Sequence, residues 1–138
     1  EFTFEQTEYS SSDQNFVSTN NTIIENNFNQ NLYGIMISNY QTAQNNTIYH
    51  NNFFNNTSQV YGPVVYNSYA NSWDNGSEGN FWSNYNGSDT DGNGIGDIPM
   101  NIFQQFPIST GGSSDYYLTP APKDQDRYPL MLPYSSPW

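Results

Sequence analysis

Between residues 20 and 56, apolar side chains fall singly among polar ones, in units that read N-x-I-x-x-N-x-F. Residues 20–31 (NNTIIENNFNQN) and 45–56 (NNTIYHNNFFNN) agree at eight of twelve positions, at an offset of 25. The density of asparagine and the β-branched residues speak against a helix. A repeat of this length without helical spacing predicts a β-helix, a coil of short strands that each turn one or two residues inward. Asparagine suits the bends, because it tolerates left-handed backbone angles and can hydrogen-bond its own turn. Stacked coils then place Ile23 over Ile48, Phe28 over Phe53, Asn26 over Asn51 and Ile35 near Val60. Gly34 to Ile37 supplies a further strand with Ile35 and Ile37 inward.

The flanks carry different patterns. Residues 1–19 open with Phe2 and Phe4 on one face of a possible strand and continue as a polar run. This segment reads either as a loose terminus or as a strand that completes another subunit. Residues 20–72 hold the coils. Two recognisable repeats bury little, so residues 73–138 are expected to lie over the last coil as an aromatic cap, with Trp73, Phe81, Trp82 and Tyr85 prominent. Ile98 to Phe106 is a mixed apolar stretch and Gly111 to Ser114 a loop. Tyr128, Leu130 and Met131 are expected to pack back, and Pro129, Pro133 and Pro137 keep the end extended.

Within the cap, Asp89, Asp91, Asn93 and Asp97 alternate with Gly92, Gly94 and Gly96. Oxygen ligands on alternate residues around a flexible glycine turn suit a hard cation, and Ile95 would add its carbonyl. Met100 stands where a helical calcium loop closes with glutamate, so the loop is not an EF-hand. It resembles instead the D-x-D-x-D-G loops of secreted proteins such as thrombospondin type 3 repeats. Three carboxylates within nine residues repel one another without a cation, so Ca2+ is the expected cofactor.

Thirteen acidic residues stand against Lys123 and Arg127, for a net charge of −11. That balance opposes nucleic acid and anionic membranes as partners. No apolar run approaches the roughly 20 residues of a membrane span. The chain has no cysteine. It begins at Glu1 without methionine, as expected of a removed leader or of a fragment. Sequons at Asn20, Asn45, Asn55, Asn56, Asn75 and Asn86 fit a glycosylated protein outside the cell.

W-D-N-G-S-E-G-N-F-W-S-N-Y (73–85), D-T-D-G-N-G-I-G-D-I-P (89–99) and D-x-D-R-Y-P-L-M (124–131) occur in that order. With them the chain resembles, over roughly 20–131, the C-terminal end of NosD-like β-helix proteins of archaeal surfaces and the periplasm. The resemblance implies an all-β fold: a right-handed parallel β-helix with a calcium-binding cap that Trp73, Trp82 and Tyr85 pack. Family members carry more coils than this chain. Their copper association finds no support here, since His50 is the only histidine and the three methionines are scattered. His50 reads as an outward polar residue of a coil.

The residues bear on three classes of function. Acid–base hydrolysis needs two carboxylates a few ångströms apart. Asp13, Glu25, Asp74 and Glu78 do not recur one coil apart, and Arg127 reads as the partner of Asp124 or Asp126. An enzyme is therefore not expected. A carbohydrate-binding or adhesive module would use exposed aromatics. The favoured expectation is a structural subunit at the cell surface. An open first coil exposing Ile23, Phe28, Ile35 and Ile37 would recruit a copy of itself, head to tail, with residues 1–19 lent to the neighbour.

Overall fold

The computed structural model describes residues 2–4, 18–37, 43–61, 71–102 and 125–135, with 2–4 and 43–44 as backbone alone. The expectations for Asp13, Tyr66, Tyr69, Gly111 to Ser114, Lys123, Asp124 and Pro137 lie outside these residues. Every regular element among those described is a strand, and no helix is long and apolar enough to cross a membrane.

The strands pair parallel, one coil on the next. β2 (Ser18–Thr19) lies beside β6 (Ala43–Gln44), and β3 (Thr22–Ile24) beside β7 (Thr47–Tyr49). β4 (Asn27–Asn29) pairs with β8 (Asn52–Phe54), which pairs with β10 (Phe81–Trp82). β5 (Tyr33–Ile37) lies between β1 (Phe2–Phe4) and β9 (Ser58–Tyr61). The β11 (Met100–Asn101) and β12 (Gln125–Asp126) pair is antiparallel and forms a separate two-stranded sheet. In register, Ile23 faces Ile48, Phe28 faces Phe53 and Ile35 faces Val60. This is a parallel β-helix.

Its corners explain the five-residue rhythm of the sequence. Asn20, Glu25, Gln30, Asn45, His50 and Asn55 all have left-handed backbone angles, with φ between 47° and 59°. Asparagine accepts that geometry readily, but the other three residues show that the corner does not demand it. The asparagine after each corner is the more constrained residue. Asn26 donates its backbone N–H and its Nδ2 to Asn51 Oδ1, and Asn51 does the same toward Asn80 Oδ1. Asn21, Asn46 and Asn71 form a second such column.

A third coil continues the columns into the segment expected to be only cap. Trp73 follows Ile48, and Trp82 follows Phe53, with ring centroids 4.2 Å apart. The step from Asn51 to Asn80 spans 29 residues where Asn26 to Asn51 spans 25. The four extra residues form a turn at Asp74–Ser77, in which Asp74 and Asn75 side chains accept from the amides of Gly76, Ser77 and Glu78. The core of Ile23, Phe28, Ile35, Ile48, Phe53, Val60, Trp73 and Trp82 runs through all three coils.

Two expectations change here. Ile23 and Phe28 are only 6% exposed and Ile35 is fully buried, so the first coil does not present them to solvent. β1 pairs with β5 of its own chain, continuing that sheet by one strand.

Candidate functional site

The end of the stack beyond the third coil is where polar chemistry concentrates. Asp126 is fully buried there, and it takes the place that the next asparagine of the column would hold. Its Oδ2 accepts from Asn80 N at 2.7 Å and from Trp82 Nε1 at 2.8 Å, and its Oδ1 accepts from Tyr128 N. Burial pushes its carboxyl up to about 6, against the hydrogen bonds from Asn80, Trp82 and Tyr128 that hold it down. Gly79 makes this approach possible, because a Cβ there would stand 1.7 Å from Asp126 Oδ1. The strand-like run after Asp126 then seals the edge: Gly79 N donates to Tyr128 O, and Leu130 N donates to Asn80 O.

Arg127 pairs with Asp74 and not with Asp126, while Asp124 lies outside the described residues. Its Nε lies 2.9 Å from Asp74 Oδ2, and Asp74 also accepts from Arg127 N. Asp74 is held below the ordinary carboxylate range: burial alone would raise it, but the combined hydrogen bonds from Arg127 and Gly76 outweigh burial. The pairing was not legible because 53 residues separate the partners and the turn at Asp74–Ser77 interrupts the repeat. Trp73 and Trp82 are buried, so neither ring is available to stack on a sugar.

The acidic loop closes the same end. Ile95 bridges Leu130 in antiparallel sense, and Gly96 N donates to Pro129 O. Gly96 is required where the Tyr85 hydroxyl passes, since a Cβ would meet it at 2.1 Å. Asp89, Asp91 and Asp97 bring carboxylate oxygens within 4.8 Å of one another. The chain itself meets their charge. Asp89 accepts from the amides of Asn93 and Gly94, and Asp91 from Asn93 N and Nδ2. Asp97 accepts from Ser88 Oγ, Thr90 N and Thr90 Oγ1, and the hydroxyls of Thr90 and Ser88 hold its carboxyl below the usual value. Asn93 Oδ1 accepts from Ile95 N, so the loop uses this side chain for its own turn.

A second polar group sits on one corner column. His50 Nε2 lies 2.6 Å from Glu78 Oε2, and the Tyr134 ring stacks on the imidazole with centroids 4.0 Å apart. Tyr134 is fastened by paired bonds with the side chain of Asn52. His50 is therefore a clasp for the C-terminal segment, where an outward polar residue was expected. Elsewhere, a groove of about 420 Å³ runs beside β9, with Asn56, Gln59, Asn84, Val60, Trp82 and Ile102 among its walls.

Of the sequons, Asn20, Asn45, Asn55, Asn75 and Asn86 are exposed. Asn56 differs, because its Nδ2 donates to Phe28 O and Gln59 Oε1 inside the stack.

The model of the family described as periplasmic copper-binding protein (NosD) matches residues 12–87, more than half of the chain. No curated protein and no solved structure matches it. The match overturns the expectation of calcium as cofactor, since the metal of the family description is copper. Amide and hydroxyl donors of the loop also bond the carboxylates of Asp89, Asp91 and Asp97. Copper asks for imidazole, thiolate or thioether donors. The chain has no cysteine, and its one histidine is closed on Glu78. Met36 and Met100 lie on β5 and β11, and Met131 follows β12. This donor set does not fit a copper centre.

Proposed function

The chain belongs to the NosD family, and we propose that it is a non-enzymatic structural protein working outside the cytoplasm, the sealed terminal unit of a right-handed β-helix assembly. The observation that carries this reading is the use of its buried polar groups. Asn46, Asn51, Asn80 and Asp126 are spent on holding coils together. Asp74 is tied to Arg127. Glu25 and Glu78 are exposed on the outer side of the corners, and Glu78 is bound to His50. The family's periplasmic description agrees with the exposed sequons and the polar, strongly acidic chain. Parallel crossovers wind right-handed almost without exception, which gives the hand of the coil. Glycans on Asn20, Asn45, Asn55, Asn75 and Asn86 would stand on corners and loops without touching the stack.

The expected homopolymer, copies joined head to tail, is a second reading, favoured by the open strand edges of the first coil. The sealed far end opposes it, because a following copy meets the acidic loop there in place of a strand edge. Intact mass of the native material against the mass of this sequence reports glycans. Incubation with uronic-acid and neutral polysaccharides tests the non-enzymatic reading. Release of reducing ends or of unsaturated products, abolished by a single carboxylate substitution, would end it.

A further inference from the structure

The turn at Asp74–Ser77 interrupts the repeat, and it also assembles a reactive group. Asn75 is exposed and is followed by Gly76, which has a φ of 95° and open space where a Cβ would stand. An asparagine before glycine can be attacked by the next backbone nitrogen, because glycine has no side chain to hinder the approach. The turn holds each group that this attack needs. Asn75 Oδ1 accepts from Ser77 N at 3.0 Å, from Ser77 Oγ at 2.9 Å and from Glu78 N at 2.9 Å. Three donors on one oxygen polarise the side-chain carbonyl, and they meet the charge that gathers there when Cγ becomes tetrahedral. The Gly76 N–H, whose proton must leave, donates to Asp74 Oδ1 at 3.0 Å. Arg127 offsets the charge of that carboxylate, which therefore does not oppose an anion forming on the nitrogen.

The same dipeptide occurs at Asn86–Gly87 and Asn93–Gly94, with different surroundings. Gly87 is packed, since a Cβ there would meet the Tyr85 hydroxyl at 2.0 Å. Asn93 Oδ1 accepts from Ile95 N alone among the described residues. Gly94 N donates to Asp89, which has the carboxylates of Asp91 and Asp97 within 4.8 Å, so negative charge opposes an anion on that nitrogen. The ends of the Asn75 turn matter as much as its middle. Asp74 holds Arg127, with Nε 2.9 Å from Oδ2. Glu78, next after the turn, holds His50, on which the Tyr134 ring stacks. Fasteners of the C-terminal segment thus flank Asn75 on both sides.

We propose that Asn75–Gly76 is a site of spontaneous backbone modification, and that its conversion loosens the C-terminal segment from the third coil. A bond forms between Gly76 N and Asn75 Cγ, and the Cγ–Nδ2 bond breaks. Ammonia departs with the Gly76 proton and leaves a cyclic imide. Water then opens the ring at either carbonyl. Opening at the side-chain carbonyl gives aspartate, and opening at the backbone carbonyl gives isoaspartate, which routes the main chain through the former side chain and lengthens its path. The oxygen that Ser77 N and Glu78 N grip then belongs to the main chain, so the turn no longer holds Asp74 and Glu78 in place. Either product adds a negative charge beside these two carboxylates. A glycan on Asn75 Nδ2 blocks the step, because that nitrogen must leave.

The test uses the full chain, made without glycans and aged in warm, mildly alkaline buffer. Mass mapping of peptides follows the exchange of amide for acid at positions 75, 86 and 93, and isoaspartyl methyltransferase labels the isoaspartate. In the fold, position 75 should convert roughly tenfold or more faster than the other two, and in urea the three rates should converge. Ser77→Ala removes one of the three donors and should slow position 75 several-fold. A lead for position 75 that is missing in the fold, survives in urea or is untouched by Ser77→Ala overturns the proposal. The converted chain, separated by its added charge, reports the second half. Its amides at Tyr128 and Leu130, which donate to Asp126 and Asn80, should exchange roughly tenfold faster than in the fresh chain. Equal exchange in the two would overturn the loosening.

Discussion

The two ends of this stack are built from the same column of residues and finish differently. At the third coil, Asn80 gives its N–H to Asp126, a carboxylate that only accepts, and the edge beyond is covered by Tyr128 and Leu130. At the first coil, Asn26 gives its N–H and Nδ2 inward to Asn51 and leaves its oxygen facing out. An amide both donates and accepts, so a column of asparagines can be extended indefinitely. A carboxylate in the same position stops it, and the buried charge is held by convergent donors. The difference is one functional group, and it separates a coil whose amide column could continue from one where the column is closed.

The largest effect is expected where that stop is removed. Asp126→Ala leaves Asn80 N, Trp82 Nε1 and Tyr128 N without their acceptor inside the protein. A loss of about 3–5 kcal/mol is expected, because the groups left behind are buried donors. Urea unfolding of the variant checks it, and a loss under about 1 kcal/mol would show that Asp126 does not seal the stack.

The charge on Asp126 gives the next test. Its carboxyl titrates at about 6 in the fold against an ordinary value of 3.8. The fold therefore binds this proton more tightly than the unfolded chain does. The sign follows: stability from this group is highest below about pH 4 and declines as pH rises to about 6. The whole shift corresponds to roughly 3 kcal/mol. In Asp126→Asn this slope should vanish, so wild type loses ground to the variant between pH 4 and 7. Parallel unfolding curves at pH 4.5 and 7.5 measure the difference, and a constant gap would contradict the assignment.

Two tryptophans sharpen the comparison within the sealed end. Trp82 Nε1 is bonded to Asp126, whereas Trp73 Nε1 is buried with no partner among the described residues. Trp82→Phe should cost about 2–3 kcal/mol, since it removes packing and a bond to a buried carboxylate. Trp73→Phe loses similar volume but also removes an unpaired donor, so about 1 kcal/mol is expected. Equal losses in thermal melts would mean that volume alone decides. The smallest effect belongs to the open end. Asn26→Ala deletes one exposed rung and should cost about 1 kcal/mol or less.

The repeat itself was legible from residues alone. The 25-residue spacing and the single apolar positions at Ile23, Phe28, Ile48 and Phe53 define the columns, because parallel stacking puts residues of equal phase on top of one another. The asparagines were legible at the bends and as a stacked pair, Asn26 over Asn51, and the structure shows that pair bonded through backbone and side chain. Glu25, Gln30 and His50 at the corners show that the backbone turns without asparagine, and that the column after the corner is what needs an amide.

What the sequence determined, then, was whatever is local and periodic: short strands, left-handed corners, a stack of apolar and amide columns. The tertiary structure decided everything that depends on distant residues meeting. Asp126 reaches Asn80 across 46 residues, Arg127 reaches Asp74 across 53, and neither distance carries a period that could be read along the chain. The acidic loop shows the same limit from the other side. Its spacing was visible, but the amides and hydroxyls that bond Asp89, Asp91 and Asp97 are brought to bear only by the folded turn. A pattern of side chains records which groups are present, and the fold alone decides which of them are already spent on each other.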